Sequence, residues 1–242
     1  MWSHLVVNTP ISGRHFVTPR WHTVIFDLDG TLINTIDLIV SSYQYAFRTV
    51  LGHEYPEAEI RSWIGKSLRE SLTNTCPDKG EDLFAAYIEW NQAHLATMAD
   101  PYPGIPELLT ELHEFKVQTG IASSKRFRSA QETLEVVGLE GVVPLLVTHD
   151  DVVDHKPHPA PLLLAAKKLE CPVEETVYIG DALVDVQAAQ AAGMDSIAVT
   201  WGAGVREELV DAGPTILVDT VAELRDILLG TVSHTPRQKF TS

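Results

Sequence analysis

Cysteine is scarce in this chain. Cys76 and Cys171 are the only two in 242 residues, far apart and without metal-ligand spacing. That pattern excludes a disulfide-stapled scaffold or a thiolate metal site, and it points to a reducing, cytoplasmic setting. Positive charge is scarce too: 18 Lys and Arg face 33 Asp and Glu, a formal net charge of -15. Nucleic acid or an anionic membrane would need a basic surface as its partner, so neither is expected. No apolar run approaches the ~20 residues that cross a bilayer. Met1 to Pro19 lacks a basic start followed by an apolar stretch, so it does not read as a secretory signal.

What is present is an ordinary globular composition, 45% hydrophobic and 21% charged, enough for a large core or for a core with an inserted domain. Residues 1–21 have weak periodicity and three turn formers, Pro10, Gly13 and Pro19, and read as a loosely ordered N-terminal extension. Thr23-Val-Ile-Phe26 is a short β-branched and aromatic run, the pattern of a buried strand. From Thr35 to Leu51 the apolar residues Ile36, Ile39, Val40, Tyr43, Ala46, Phe47 and Val50 recur at helical spacing. Helical stretches follow at 57–64, 66–74 and 80–99, so residues 35–100 read as all-helical.

Beyond Pro101, Pro103 and Gly104 helices and strands alternate. Helices are expected at 105–115, 126–137, 160–169, 184–192, 205–212 and 221–229, with strands at 117–122, 145–148, 176–179, 197–200 and 215–218. Such alternation implies a parallel sheet with helices on both faces. The fold class is therefore α/β, a Rossmann-like core (residues 22–34 and 101–230) interrupted after its first strand by a helical insert. Asn34–Asp37 and Pro101–Gly104 would be the hinges, and the polar segment 231–242 a frayed tail. Because ligands bind beyond the carboxyl ends of strands in such sheets, the insert would lie over the site as a cap.

Four strands end in residues suited to phosphoryl transfer. After the first comes Asp27-Leu-Asp29-Gly-Thr31, where side chains two apart on an extended chain face one pocket and Gly30 permits a tight turn. The second ends Ala122-Ser123-Ser124-Lys125, offering hydroxyls and the N–H groups that open a helix. Lys156-Pro-His-Pro159 follows the third, and Gly180-Asp181 ends the fourth, with Asp185 one turn into the next helix. Each piece has a plain structural explanation. An Asp after a strand often caps a helix, and Ser123 or Ser124 can cap the helix that follows. Lys156 and His158 can be solvated residues of a Pro-rich loop, and Asp185 an exposed acid near a helix start. The coincidence of place outweighs these readings, since four carboxylates, a hydroxyl and a lysine all fall on strand ends of one edge.

Phe26-Asp-Leu-Asp-Gly-Thr-Leu32, Ser123, Lys156-Pro and Gly180-Asp-Ala-Leu-Val-Asp185 resemble, in order, the four motifs of the haloacid dehalogenase superfamily of phosphohydrolases. The likeness is greatest to its phosphoglycolate phosphatase-like branch. Tyr102-Pro-Gly104, Ala188-Ala-Gln-Ala-Ala-Gly193 and Thr200-Trp-Gly202 add to it, and it spans about residues 23–229. The resemblance implies hydrolysis of a small phosphomonoester through an aspartyl phosphate, with Asp27 as nucleophile and Asp29 as acid and base. It implies Mg²⁺ held by Asp27, the backbone carbonyl of Asp29 and Asp181, with Asp185 steadying the outer shell. Ser123 and Lys156 would bind the phosphoryl oxygens, and the helical insert would exclude water.

Departures from the family pattern refine this. Asn34-Thr35 stands where many relatives have Asp-Ser or Asp-Thr, which implies altered cap anchoring. Asp29 argues against carbon–halogen and phosphonate cleavage, where that acid is missing. In the mutase branch an arginine follows a Gly-x-Ser turn; here Gly65-Lys-Ser-Leu68 places Leu there and Arg69 next, which favours hydrolysis. A phosphosugar mutase, an inorganic pyrophosphatase and a catalytically retired binding protein remain as alternatives. In the cap, Lys66 and Arg69 lie three apart at a helix start, so both are expected on one face. They either bind a second anionic group of the substrate or form a solvated helix face. The partner expected is a small phosphorylated metabolite, acted on by a monomer or a homodimer.

Overall fold

The computed structural model describes residues 19–230. The expected tail at 231–242 and most of the expected extension lie outside the described residues. The end of that extension departs from the expectation. Trp21 is only 2% exposed, belongs to the main hydrophobic cluster and donates its indole N–H to Asp195 at 2.9 Å. A lone aromatic beside a strand start has no period of its own, so its burial was not readable.

The chain enters β1 (Thr23–Phe26), makes a short strand β2 (Ile33–Asn34) and runs through four helices, α1 (Ile36–Leu51), α2 (Glu57–Trp63), α3 (Leu68–Thr75) and α4 (Gly80–Met98). A second two-residue strand, β3 (Asp100–Pro101), leads to α5 (Ile105–Glu114), β4 (Gln118–Ala122), α6 (Phe127–Val136) and β5 (Leu145–Val147). Then follow α7 (Ala160–Lys168), β6 (Thr176–Gly180), α8 (Leu183–Ala192), β7 (Asp195–Val199), α9 (Arg206–Asp211), β8 (Ile216–Val218) and α10 (Val221–Leu228).

Six strands form one parallel sheet in the order β5-β4-β1-β6-β7-β8. All four residues of β1 are buried, because it is paired on both edges and covered on both faces. Val24 and Phe26 face one layer, with Leu108, Leu109 and Leu112 of α5, Leu134 of α6 and Leu224 and Leu228 of α10. Ile25 faces the other, with Leu162 and Ala165 of α7 and Ala188 and Ala189 of α8. Burying one such large side chain contributes roughly 1.5–3 kcal/mol, so this two-sided layer anchors the strand ends that carry the chemistry. The strand order reverses between β1 and β6, the crevice where open α/β sheets bind ligands.

The helices between β2 and β3 have a core of their own. Ile36, Ile39, Tyr43 and Phe47 of α1 pack with Ile60, Leu72, Leu83 and Tyr87. The two linkers to this cap are paired with each other: Ile33 lies opposite Pro101 and Asn34 opposite Asp100, antiparallel. Strands this short, one of them ending in proline, have no alternation to read. Among the described residues no helix is long and apolar enough to cross a membrane.

Candidate active site

Asp27 directly follows β1 and is 2% exposed, its backbone N–H donating to Ile179 at 2.8 Å. Gly30 turns the chain with φ +79°, and a Cβ there would run into the carboxylate of Asp181. Glycine is required at this position by conformation and by space. Lys156 Nζ lies 3.1 Å from Asp27 Oδ1 but off the hydrogen-bonding line, so this buried oxygen has a charge beside it and no aligned donor. Burial pushes the Asp27 carboxyl up to about 7, with Lys156 opposing the rise and Asp185 and Asp29 adding to it.

Asp181 and Asp185 come from the end of β6 and the first turn of α8. Asp181 accepts from the Thr31 hydroxyl at 3.1 Å and from the Ala203 N–H at 2.7 Å. Burial, then Asp185 and Asp27, raise its carboxyl well above the ordinary range. Asp185 accepts from Lys156 Nζ at 2.6 Å and from the Ala182 N–H at 2.9 Å. Asp27, Asp181 and Asp185 each offer an oxygen within 4.8 Å of the others. Three crowded, buried carboxylates repel one another unless a cation intervenes, and hard oxygen donors of this kind fit Mg²⁺.

Lys156 is 4% exposed and reaches the Tyr178 hydroxyl at 3.1 Å, which in turn donates to the Ala122 carbonyl at 2.8 Å. Burial pulls its ammonium down, but Asp185 and Asp27 outweigh that and hold it well above the ordinary lysine value. The solvated-loop reading of Lys156 is thereby excluded. His158 is exposed and accepts from the Ala160 N–H, a local role.

Ser123 is 5% exposed and lines a cavity together with Asp27 and Asp29, its hydroxyl accepting from the Lys125 N–H at 3.2 Å. Asp29 points elsewhere than the three-carboxylate cluster. Its Oδ1 accepts from the Thr35 hydroxyl at 2.8 Å and from Lys125 Nζ at 2.9 Å, and its Oδ2 from Lys125 at 3.1 Å.

One turn of the cap meets the core beside Ser124 and His149. Gly65 has φ +87°, and a Cβ there would press on Ala182 at 3.1 Å. Its carbonyl accepts from the Ser124 hydroxyl at 2.7 Å, and the Ser67 hydroxyl lies 3.3 Å from His149 Nε2. Under this turn is a cavity of about 90 Å³, walled by Tyr43, Trp63, Phe84 and Tyr87 of the cap. Lys66 and Arg69 both line it, but not from one helix face: α3 begins at Leu68 with Ser67 as its cap residue, so Lys66 belongs to the turn. Local pattern could not separate the turn from the helix that follows it. Arg69 is already engaged, paired with Glu81 and lying 4.2 Å over the Phe84 ring.

Four residues of the site were not singled out from sequence: Thr31 on Asp181, Thr35 and Lys125 on Asp29, and Tyr178 on Lys156. Tyr178 carried a faint signal as a polar-tipped aromatic in the middle of a strand of wholly buried residues. Tyr102 and Trp201 brace the loop after β1, the Trp201 indole donating to the Thr31 carbonyl and the Tyr102 hydroxyl to the Trp201 carbonyl, each at 3.1 Å.

A parallel sheet with a helical insert after β1, and acids at the ends of β1 and β6, defines a class of hydrolases. The haloacid dehalogenase-like hydrolase family matches residues 24–199. The chain belongs to that family, as a phosphohydrolase within it. It is 33% identical over 209 residues to the pyrophosphatase PpaX of Bacillus cereus (strain G9842), covering 86% of this chain and 97% of that one. A hydrolase from Pseudomonas syringae superposes with a TM-score of 0.78 at 27% identity, over 87% of this chain and 99% of its own. A predicted phosphatase from Clostridium acetobutylicum gives 0.77 at 25% identity, with the same coverage of both chains.

Proposed function

We propose that this chain hydrolyses small phosphomonoesters with Mg²⁺, through a phosphoryl group carried transiently on Asp27. The observation that carries the reading is the buried arrangement of Asp27, Asp181 and Asp185 with Lys156 between Asp27 and Asp185. Asp27, Asp181 and the backbone carbonyl of Asp29 would hold the ion, with Asp185 steadying the shell. Bound there, Mg²⁺ supplies the positive charge that lets an anionic substrate approach an anionic nucleophile.

The rest is the work of the chain. An Asp27 oxygen attacks phosphorus, and the bond to the leaving oxygen breaks as that oxygen takes a proton from Asp29. Asp29 then accepts a proton from the water that displaces Asp27. Ser123 and Lys156 hold the phosphoryl oxygens as charge moves over them, and the cap turn keeps bulk water out. Inorganic pyrophosphate is a second reading, supported by the likeness to pyrophosphatase PpaX. It needs the same residues, with phosphate as the leaving group.

Purified enzyme with Mg²⁺ should turn over members of a phosphate-ester panel, stop in chelator and recover on adding Mg²⁺. Asp27→Asn should abolish turnover, because an amide cannot form the acyl phosphate. Acid-quenched enzyme should carry phosphate on the peptide containing Asp27. Phosphate trapped on another residue, or full activity in chelator, would overturn the mechanism.

A further inference from the structure

Asp29 moves the proton in the reaction above, yet both of its carboxylate oxygens are occupied. Thr35 and Lys125 share Oδ1, and Lys125 also holds Oδ2. The Lys125–Asp29 pair is largely shielded, its side chains 11% and 15% exposed. A carboxylate held this way cannot turn toward a leaving oxygen without giving up Lys125. A charge-assisted double contact in a shielded pocket yields readily only to another anion.

The cavity beside this pair is where an acidic chain gathers its positive charge. Lys66, Arg69, Lys125 and Arg126 line it, against Asp27 and Asp29 as the only acids. Lys156 and Ser123 already serve the transferred phosphoryl group, so four further cations exceed its need. Arg69 is paired with Glu81, and Arg126 lies 3.8 Å from Asp150. Lys66 is exposed and has no side-chain partner among the described residues. Two ammonium groups, Lys66 and Lys125, are therefore placed to meet a second negative group.

We propose that Lys125 is a specificity-determining residue, selecting phosphate esters and anhydrides whose leaving group carries a second anion. That anion, a carboxylate or a phosphate, draws Lys125 off Asp29 and frees the carboxyl to face the leaving oxygen. The proposal rests on the phosphatase reading above. The Asp27 oxygen then bonds to phosphorus, and the phosphorus–oxygen bond to the leaving group breaks with its electron pair on that oxygen. Once Lys125 has left, the Asp29 carboxylate takes up a proton from solvent and gives it to that oxygen, and the attacking water returns a proton to Asp29 in the second half. An ester with a neutral leaving group cannot displace Lys125 and waits for it to leave unaided.

The test compares the parent enzyme with Lys125→Met and Lys125→Arg, in Mg²⁺, on pyrophosphate, phosphoglycolate and phenyl phosphate. The parent should prefer the first two. Lys125→Met should reduce that preference in kcat/KM by about 10- to 100-fold, the range of a charge-assisted contact. Lys125→Arg keeps the charge and should keep part of the preference. Equal losses on all three substrates, or no loss, would overturn the proposal. An arginine variant without any preference would do so as well, even if the methionine variant failed to fold. Parent enzyme inactive on all three would overturn the phosphatase reading, and the proposal with it. An active parent with an inactive Asp27→Asn leaves that reading standing and isolates the fate of Lys125.

Discussion

In the core, the side chains that face the site are sealed and bonded. Asp181, Asp185 and Lys156 are each 4% exposed or less, and each holds two or more partners. In the cap, the residues facing the cavity beside Asp27 and Asp29 include aromatic rings and two cations, with Arg69 half-exposed and Lys66 open to solvent. A network bonded at nearly every polar atom cannot be rearranged to suit a new leaving group without leaving a buried charge unpaired. Rings and a loose lysine can. On the proposed reading, the core would handle the part common to every substrate, the phosphoryl group, while the cap and Lys125 would meet the part that varies.

Variants in the core and in the cap should behave differently, and the largest effect belongs to the core. Lys156→Ala removes the cation between Asp27 and Asp185 and should lower kcat/KM about 10²–10³-fold, the range for a lost electrostatic donor, on every substrate alike. Lys156→Arg should rescue poorly, because a forked planar group does not replace a compact ammonium held by Tyr178 and Asp185. A loss confined to one substrate would break the division between core and cap.

A smaller effect concerns stability without metal. Asp27 is pushed from 3.8 to about 7 by burial first, so its carboxyl is neutral in the fold at pH values where the unfolded chain ionises it. A raised folded value contributes stability that is full below about 4 and is lost as pH rises through about 7. In chelator, the melting temperature of the parent relative to Asp27→Asn should therefore fall from pH 4 to pH 7. Added Mg²⁺ should reverse that fall at pH 7. A difference that stays flat across this range would show that the pocket does not penalise the ionised carboxylate.

The smallest effect should come from the cap surface. Lys66→Ala should lower kcat/KM on phosphoglycolate by up to about tenfold more than on phenyl phosphate, the weaker end of a charge-assisted contact. Arg69→Ala should instead act mainly through lost packing on Phe84 and the lost pair with Glu81, costing about 1 kcal/mol or less in thermal unfolding. If Arg69→Ala proved the more selective of the two on the charged substrate, the roles assigned to these residues would be exchanged.

Much of this molecule was legible before any coordinates. The strand-helix alternation, the central buried β1 and the acids at the ends of β1 and β6 follow from local periodicity and from what ends each strand, because a side chain's direction on a strand is set by its neighbours in the chain. Asp27, Asp181 and Lys156 could be named on that ground and by resemblance to a family. The tertiary structure alone decided what each of them touches. The Lys125–Asp29 pair joins residues 96 apart, and the Thr31–Asp181 bond joins residues 150 apart. Neither separation leaves a periodic mark. The pairing of β2 with β3, the burial of Trp21 and the docking of the 65–67 turn on Ser124 and His149 are of the same kind. Local sequence sets where a side chain can point, and only the folded chain sets which other charge waits there.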